Sequence, residues 1–324
     1  MNANEIVVVR PGPSALVVDR GRFGYLGIGV SWCGAADLLA LSIANRLVGN
    51  DGAAAAVEIT FGGAAFCFGR RTRFALAGAD CPASLDGERI ATWSSHDAPA
   101  GSTLEIGASR CGVRTLLAVR GGIDVPQAMG SRTTDLAAGI GGLNGRRLAT
   151  KDRLPVGAAP ALAYAKALAV EPPDFYRERG QKVEIGMIPG GEQASFPKEA
   201  QAALWSMPWR VSPQSNRMAC LLEGAPLSTR GVPEMRSHAV VPGVVQVPHS
   251  GLPLVLLCDA QTTGGYPKAG VIAEADLWKM AQVEPGVCVR FKPVTIEQSA
   301  AATRGIAAYL AAMENAIAAQ SVQA

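Results

Sequence analysis

Three polar, glycine-punctuated segments carry the side chains best suited to chemistry. Gly130-Ser-Arg-Thr-Thr-Asp135 leads into a second glycine-rich run, Gly139-Ile-Gly-Gly-Leu-Asn-Gly-Arg146. Further on stands Arg210-Val-Ser-Pro-Gln-Ser-Asn-Arg-Met218. The third, Gln261-Thr-Thr-Gly-Gly-Tyr-Pro-Lys268, directly follows the apolar run LPLVLLCDA. Each combines hydroxyls, an amide or a guanidinium, and backbone N–H groups that glycine leaves accessible, a set suited to a polar or anionic small molecule. None is a phosphate loop, because G-x-x-x-x-G-K-S/T is absent, and neither G-x-S-x-G nor a dinucleotide fingerprint is present. The same residue types also build structural loops, so both roles stay open at this level.

The elements that must hold these segments are mostly strands. Candidate strands in the first half are Glu5–Arg10, Ala15–Asp19, Val57–Phe61, Arg73–Ala77, Thr103–Ile106 and Thr115–Val119, rich in β-branched and aromatic residues and separated by Gly, Pro and Asp. Asp86-Gly87 is a two-residue hairpin turn. Short strands at this spacing predict a barrel or sandwich. One helix interrupts them: Leu38, Leu39, Ile43, Leu47 and Val48 share a face and Gly49-Asn50 supplies a stop, so that face is expected to plug the barrel. The Ala- and Pro-rich segment 155–180 reads as an inter-domain connection. Strand-rich sequence resumes at KVEIGMIPGG and continues through WRVSPQS, MACLLEG, VVQVP, LPLVLLCDA and VCVRFKP, with a helix at Glu274–Gln282. The resulting division is 1–160, 181–295, and a terminal helix in 296–324 with an apolar stripe of Ile306, Leu310, Met313 and Ile317.

Composition excludes several classes. The chain has 324 residues, 48% hydrophobic and 18% charged, enough to bury a large core and too few charges for disorder. A net charge of +3 with cations clustered only at Arg70-Arg71, Arg73 and Arg146-Arg147 argues against nucleic-acid binding. The seven cysteines form no C-x-x-C pair and read as buried thiols of a reducing compartment, and the three histidines offer no zinc spacing, so no metal is expected. MNANEIVVVRPGPS reads as a first strand, not a signal peptide. No run approaches the ~20 apolar residues that span a bilayer, so a cytoplasmic protein without membrane contact is expected.

Longer motifs carry a family resemblance. RPGP, DRGRFGY, GAAD, ANRLVGN, ALAGAD, AVRGGIDVP, GSRTTDLAAGIGGLNGRRL, RVSPQSNRM, LEGAPL and VPGVVQVPHSGLPLVLLCDAQTTGGYPKAGVI together run from about Val7 to Phe291. They resemble the second carboxyltransferase subunit, long labelled allophanate hydrolase subunit 2. It occurs as the C component of 5-oxoprolinase and as the carboxyltransferase region of urea carboxylase, and is related to the Kip-type kinase-inhibitor antagonist. The resemblance implies a mostly β fold of two cyclophilin-like β-barrel domains and a smaller partner subunit of the allophanate hydrolase subunit 1 type. It implies a small amide substrate and one of two chemistries. In one, the subunits open 5-oxoproline with ATP; in the other, a carboxyl group passes from carboxybiotin on a separate carrier to urea nitrogen. A third role is a non-catalytic regulator. The stand-alone chain favours the ATP-dependent amidohydrolase, active only with its partner.

Matched segment by segment, the resemblance places Arg132, Thr133, Thr134 and Asp135 on one wall of the site. Ser212, Gln214, Ser215 and Arg217 form a second wall with Gln246 nearby, and Gln261, Thr262, Thr263, Tyr266 and Lys268 a third. Lys268 and Arg217 are the expected cations for a carboxylate or phosphate. Asp135 is the remaining carboxylate for proton handling, and it equally suits a turn cap. Four departures from the family pattern stand out: Val18 for Gln, Cys33 for Ser, Asn216 for Asp, and His238 for Glu. The change at Asn216 removes a carboxylate that can serve as a base.

Overall fold

A computed structural model describes residues 4–159, 167–176, 182–233 and 235–321. The chain forms two compact units: residues 1–22, 33–179 and 308–324 make the first, and 23–32 with 180–307 the second. Strand dominates throughout, as the sequence predicts. In chain order the first unit contains β1 (Glu5–Pro11), β2 (Ser14–Val18), α1 (Leu38–Leu47), β3 (Ala56–Thr60), β4 (Gly62–Phe68), β5 (Thr72–Asp80), β6 (Ala83–Leu85), β7 (Glu88–Ile90), β8 (Ser94–Ala98), β9 (Thr103–Ala108), β10 (Cys111–Val119) and β11 (Arg153–Pro155). They form a six-stranded sheet, β11-β1-β4-β9-β6-β7, and a five-stranded sheet, β2-β3-β10-β5-β8.

One core joins the two sheets. Ile6, Val8, Phe66, Phe68, Leu104 and Ile106 from the first meet Val17, Val57, Ile59, Phe74, Leu76, Leu117 and Val119 from the second. Burying each phenylalanine contributes roughly 1.5–3 kcal/mol. Asp86 and Gly87 both take positive φ (50° and 87°), and they close the β6–β7 hairpin with a twist that suits the strands. The β5–β10 register shifts between Cys111 and Thr115. There Gly78 has φ +106° and an added Cβ would lie 2.3 Å from the Arg114 carbonyl oxygen, so this bulge requires glycine.

The helix α1 departs from its expected place. It packs on β5, β8 and β10, on the face of that sheet turned away from the core. Alternate positions of these strands, Ala75, Ala77, Leu116 and Ala118, are buried without belonging to the inter-sheet core. Their alanines leave room for a helix to cover the sheet, so it does not plug a barrel. Leu38 accordingly lies 44% exposed, off the buried face. Asp37 caps the helix by accepting from Ala40 N at 2.8 Å, and Gly49 follows its end with φ 78°.

The expected connection is also more structured than a linker where it is described. Ala169 bridges to Ser94, Ser95 N donates to the Leu168 carbonyl at 2.7 Å, and the Tyr176 hydroxyl bonds the buried Asp37 carboxylate. Residues 160–166 and 177–180 of that connection lie outside the described residues.

The second unit contains β12 (Val183–Pro189), α2 (Lys198–Ser206), β13 (Trp209–Val211), β14 (Ala219–Glu223), β15 (His238–Ala239), β16 (Val244–Gln246), β17 (Leu254–Leu256), β18 (Thr263–Gly264), β19 (Lys268–Ile272), α3 (Glu274–Met280) and β20 (Cys288–Pro293). Seven of these strands close a barrel, β12-β19-β16-β17-β14-β13-β20, through a parallel β12–β20 pairing. Trp209 is fully buried, and its indole N–H donates to the Leu204 carbonyl at 3.1 Å, tying β13 to the end of α2. A separate ribbon pairs β15 with β18. The terminal helix α4 (Ile296–Ser321) buries Met313 of the expected stripe, and Glu314 pairs with Arg46 of α1 at 2.6 Å. Among the described residues no helix is long and apolar enough to cross a membrane.

Candidate functional site

The first wall lies in the first unit, in the stretch between β10 and β11. Asp19 organises it: Ser131 Oγ donates to Oδ1 at 2.7 Å and Arg132 N to Oδ2 at 2.6 Å. Arg22, only 1% exposed, donates from Nε to the Ala128 carbonyl and from Nη2 to the Thr133 carbonyl, at 2.9 and 3.0 Å. The threonines are wholly buried: Thr133 Oγ1 accepts from Gly34 N, and Thr134 Oγ1 donates to the Val17 carbonyl. Asp135 Oδ1 accepts from Ala137 N and Ala138 N at 3.0 and 2.9 Å, so this carboxylate caps the turn that follows it. Arg132 alone of the four presents its side chain outward, pairing with Asp124 at 2.6 Å.

The second wall follows β13 in the second unit. Arg217 faces Asp259 in a two-point ion pair, with side chains 10% and 12% exposed. Ser215 Oγ accepts from Leu221 N at 3.0 Å, and Ser212 Oγ from Gln214 N at 3.4 Å; Gln214 itself is exposed. Asn216 Oδ1 accepts from Met218 N at 2.7 Å and Ala219 N at 3.3 Å. An aspartate makes the same turn contacts, so the departure at this position removes charge and keeps the loop.

The third wall lies across β18 and the start of β19. Lys268 is half-buried, and its register partner on β16 is Gln246. Gln246 is fully buried, donates from Nε2 to the Tyr266 carbonyl at 3.3 Å, and leaves Oε1 without a partner among the described residues. An added Cβ on Gly264 would come within 2.7 Å of Gln246 Nε2, so glycine lets the β18 backbone lie directly over this amide. Gln261, Thr263 and Tyr266 are exposed and Thr262 is half-buried, with the His249 ring edge-on to Tyr266.

Two residues absent from the sequence-based set complete this wall. Glu192, in the turn after β12, accepts from Lys268 N at 2.6 Å through Oε2, and its Oε1 lies 3.4 Å from Lys268 Nζ. His238, on β15, brings Nε2 to 3.6 Å from the same Oε1. Glu192 follows a Pro-Gly-Gly turn that carries no chemical signature in the sequence, and only the β12–β19 pairing brings it beside Lys268. His238 does show in the sequence, as a departure from the family pattern. Lys268, Gln246, Tyr266, Glu192 and His238 thus form one cluster of the second unit. The first wall belongs to the other unit, and Arg217 is committed to Asp259.

This fold and these segments define a carboxyltransferase-type chain. The sequence matches the family "Carboxyltransferase domain, subdomain A and B" over residues 28–293, and the protein belongs to that family. It is 43% identical over 297 residues to the C component of 5-oxoprolinase from Escherichia coli, covering 90% of this chain and 92% of that one. It is 32% identical over 311 residues to urea amidolyase of Saccharomyces cerevisiae, where the match covers 91% of this chain and 17% of the larger protein. The crystal structure of K. lactis urea amidolyase superposes with a TM-score of 0.84 at 27% identity, over 96% of this chain and 20% of that one.

Proposed function

We propose that this protein is a subunit of an amide-processing enzyme of the 5-oxoprolinase type, opening a cyclic amide with ATP in company with a smaller partner subunit. The observation that carries this reading is the 43% identity to a 5-oxoprolinase C component, which extends over nearly the whole of both chains.

A lactam is a poor electrophile with a poor leaving group. Opening it requires donors for the developing oxyanion, a proton for the departing nitrogen, and activation, which ATP supplies in this reading. Lys268 is the cation best placed for such work: it stands half-buried at a strand start beside the Glu192 carboxylate. Gln246 acts from beneath, holding the Tyr266 carbonyl and hence the approach of the loop to β19. Arg217 and Asp135 support the walls. The exposed Gln214 and Gln261 remain available to a ligand or partner, and Arg132 holds Asp124 within the first wall's own unit.

A second reading, the carboxyltransferase half of a biotin-dependent urea carboxylase, draws on the likeness to urea amidolyase. The two differ in co-substrate. The chain with its partner subunits should release glutamate and inorganic phosphate from 5-oxoproline and ATP in equal amounts, and avidin should leave the rate unchanged. Avidin-sensitive carboxylation of urea without 5-oxoproline turnover would decide for the second reading.

A further inference from the structure

We propose that Glu192 and His238 are positioning residues for Lys268, forming with it one proton-exchange unit in which a single carboxylate oxygen faces two protonatable nitrogens. This rests on the amide-opening reading above and assigns residues that the reading does not need.

The geometry fixes the roles. Glu192 Oε2 is occupied by the backbone N–H of Lys268 at 2.6 Å, which leaves Oε1 as the oxygen that faces the side chains. Lys268 Nζ stands 3.4 Å from it on one side and His238 Nε2 3.6 Å on the other. The imidazole orientation is set by its other nitrogen: His238 Nδ1 lies 2.7 Å from the Arg236 carbonyl, an oxygen that only accepts, so Nδ1 carries the hydrogen. Nε2 is therefore the atom that gains and loses a proton, and it looks onto the carboxylate. Exposure increases from Lys268 (19%) to Glu192 (28%) to His238 (35%), so the imidazole is the solvent end of the chain. The charged members of the unit come from three elements, Lys268 from β19, Glu192 from the turn after β12 and His238 from β15, two residues after Arg236. The paired strand β18 adds Thr263 and Gly264, neither charged.

In ring opening, water oxygen bonds to the carbon of the ATP-activated amide and its proton passes to solvent, while the C–N bond breaks and its electron pair goes to nitrogen. The Lys268 ammonium gives that nitrogen a proton and becomes a neutral amine. Protonated His238 passes a proton from Nε2 through Glu192 Oε1 to Lys268 Nζ and becomes neutral, with Nδ1–H still on the Arg236 carbonyl. Solvent then reloads Nε2. The 3.4 and 3.6 Å separations are those of a resting site, and such contacts shorten when substrate is bound.

The test uses the full complex with 5-oxoproline and ATP. His238→Asn keeps a donor where Nδ1 stands and removes Nε2; Glu192→Gln keeps an acceptor for Lys268 N and removes the charge. Each should lower kcat by about tenfold to a hundredfold with KM nearly constant, at or below the size expected for loss of the proton donor itself. Added imidazole should restore much of the loss in His238→Asn and none in Lys268→Met. Unchanged kcat in both variants, or losses confined to KM without imidazole rescue, would overturn the relay while an inactive Lys268→Met still supported the site. Wild-type turnover by Lys268→Met would overturn the site and the relay together.

Discussion

Arg217 and Asp259 form a two-point ion pair, Nε donating to Oδ2 at 2.8 Å and Nη2 to Oδ1 at 2.9 Å. The parallel fork fixes both side chains in a largely buried place, and Asp259 N donates to the Arg217 carbonyl at 3.0 Å. Arg217→Met strands a buried carboxylate, and should destabilise the protein by about 3–5 kcal/mol. Arg217→Met combined with Asp259→Leu should recover most of that loss. Urea unfolding measures both. A single variant as stable as wild type, yet unable to bind ligand, would return Arg217 to the role of a ligand-binding cation.

This pair shows where the sequence stops being informative. An arginine in SPQSNRM has the right chemistry for a ligand, but Asp259 lies 42 residues away at the end of LPLVLLCDA. Nothing local to either segment announces their meeting. Asp135 differs: the sequence leaves its carboxylate open between proton handling and a turn cap, and the structure shows it capping a turn. Strands with alternating or β-branched residues are legible, as are the Asp86-Gly87 hairpin and the polar segments. Strand β4, GGAAFCF, is not, because its glycines and alanines lack β-propensity and the partners β1 and β9 hold it. The position of α1 is hidden for a related reason. Its apolar face is plain, but which side of a sheet it covers depends on small residues in strands far along the chain.

Asp97 gives a pH prediction. Hydrogen bonds from Arg73 Nε and Nη2, at 2.8 and 2.7 Å, hold its carboxyl below the usual carboxylate range, against an opposing effect of burial. A depressed folded-state value means a stabilisation present above the unfolded value, about 3.9, and lost as pH falls through the folded one. Asp97→Asn should therefore lower the melting temperature at pH 7, and the gap from wild type should close as the solution is acidified below about pH 4. A gap that stays constant down to acid unfolding would show that the ion pair does not contribute.

Thiol reactivity should follow burial. Cys33, Cys81, Cys111 and Cys220 are buried, and burial pushes the Cys81 thiol up, further from the reactive thiolate. Cys67, Cys258 and Cys288 are half-buried, a difference from the apolar context of the first two in sequence. Iodoacetamide followed by peptide mass spectrometry should label these three first. Replacing Cys33, Cys67 or Cys258 by Ser should leave turnover by the complex intact. Loss of turnover at unchanged melting temperature would assign that thiol to the chemistry.

Lys268 carries the central claim, and one measurement addresses it directly. The chain is expected to open 5-oxoproline only with its partner subunit present, so kcat/KM is measured in the complex for wild type and Lys268→Met. Methionine keeps the hydrocarbon stem, and Glu192 keeps its bond to the backbone N–H, so the melting temperature should hold. The loss of a charged donor to the reacting group should lower kcat/KM by about a hundredfold or more. A variant that turns over 5-oxoproline at the wild-type rate would contradict the account.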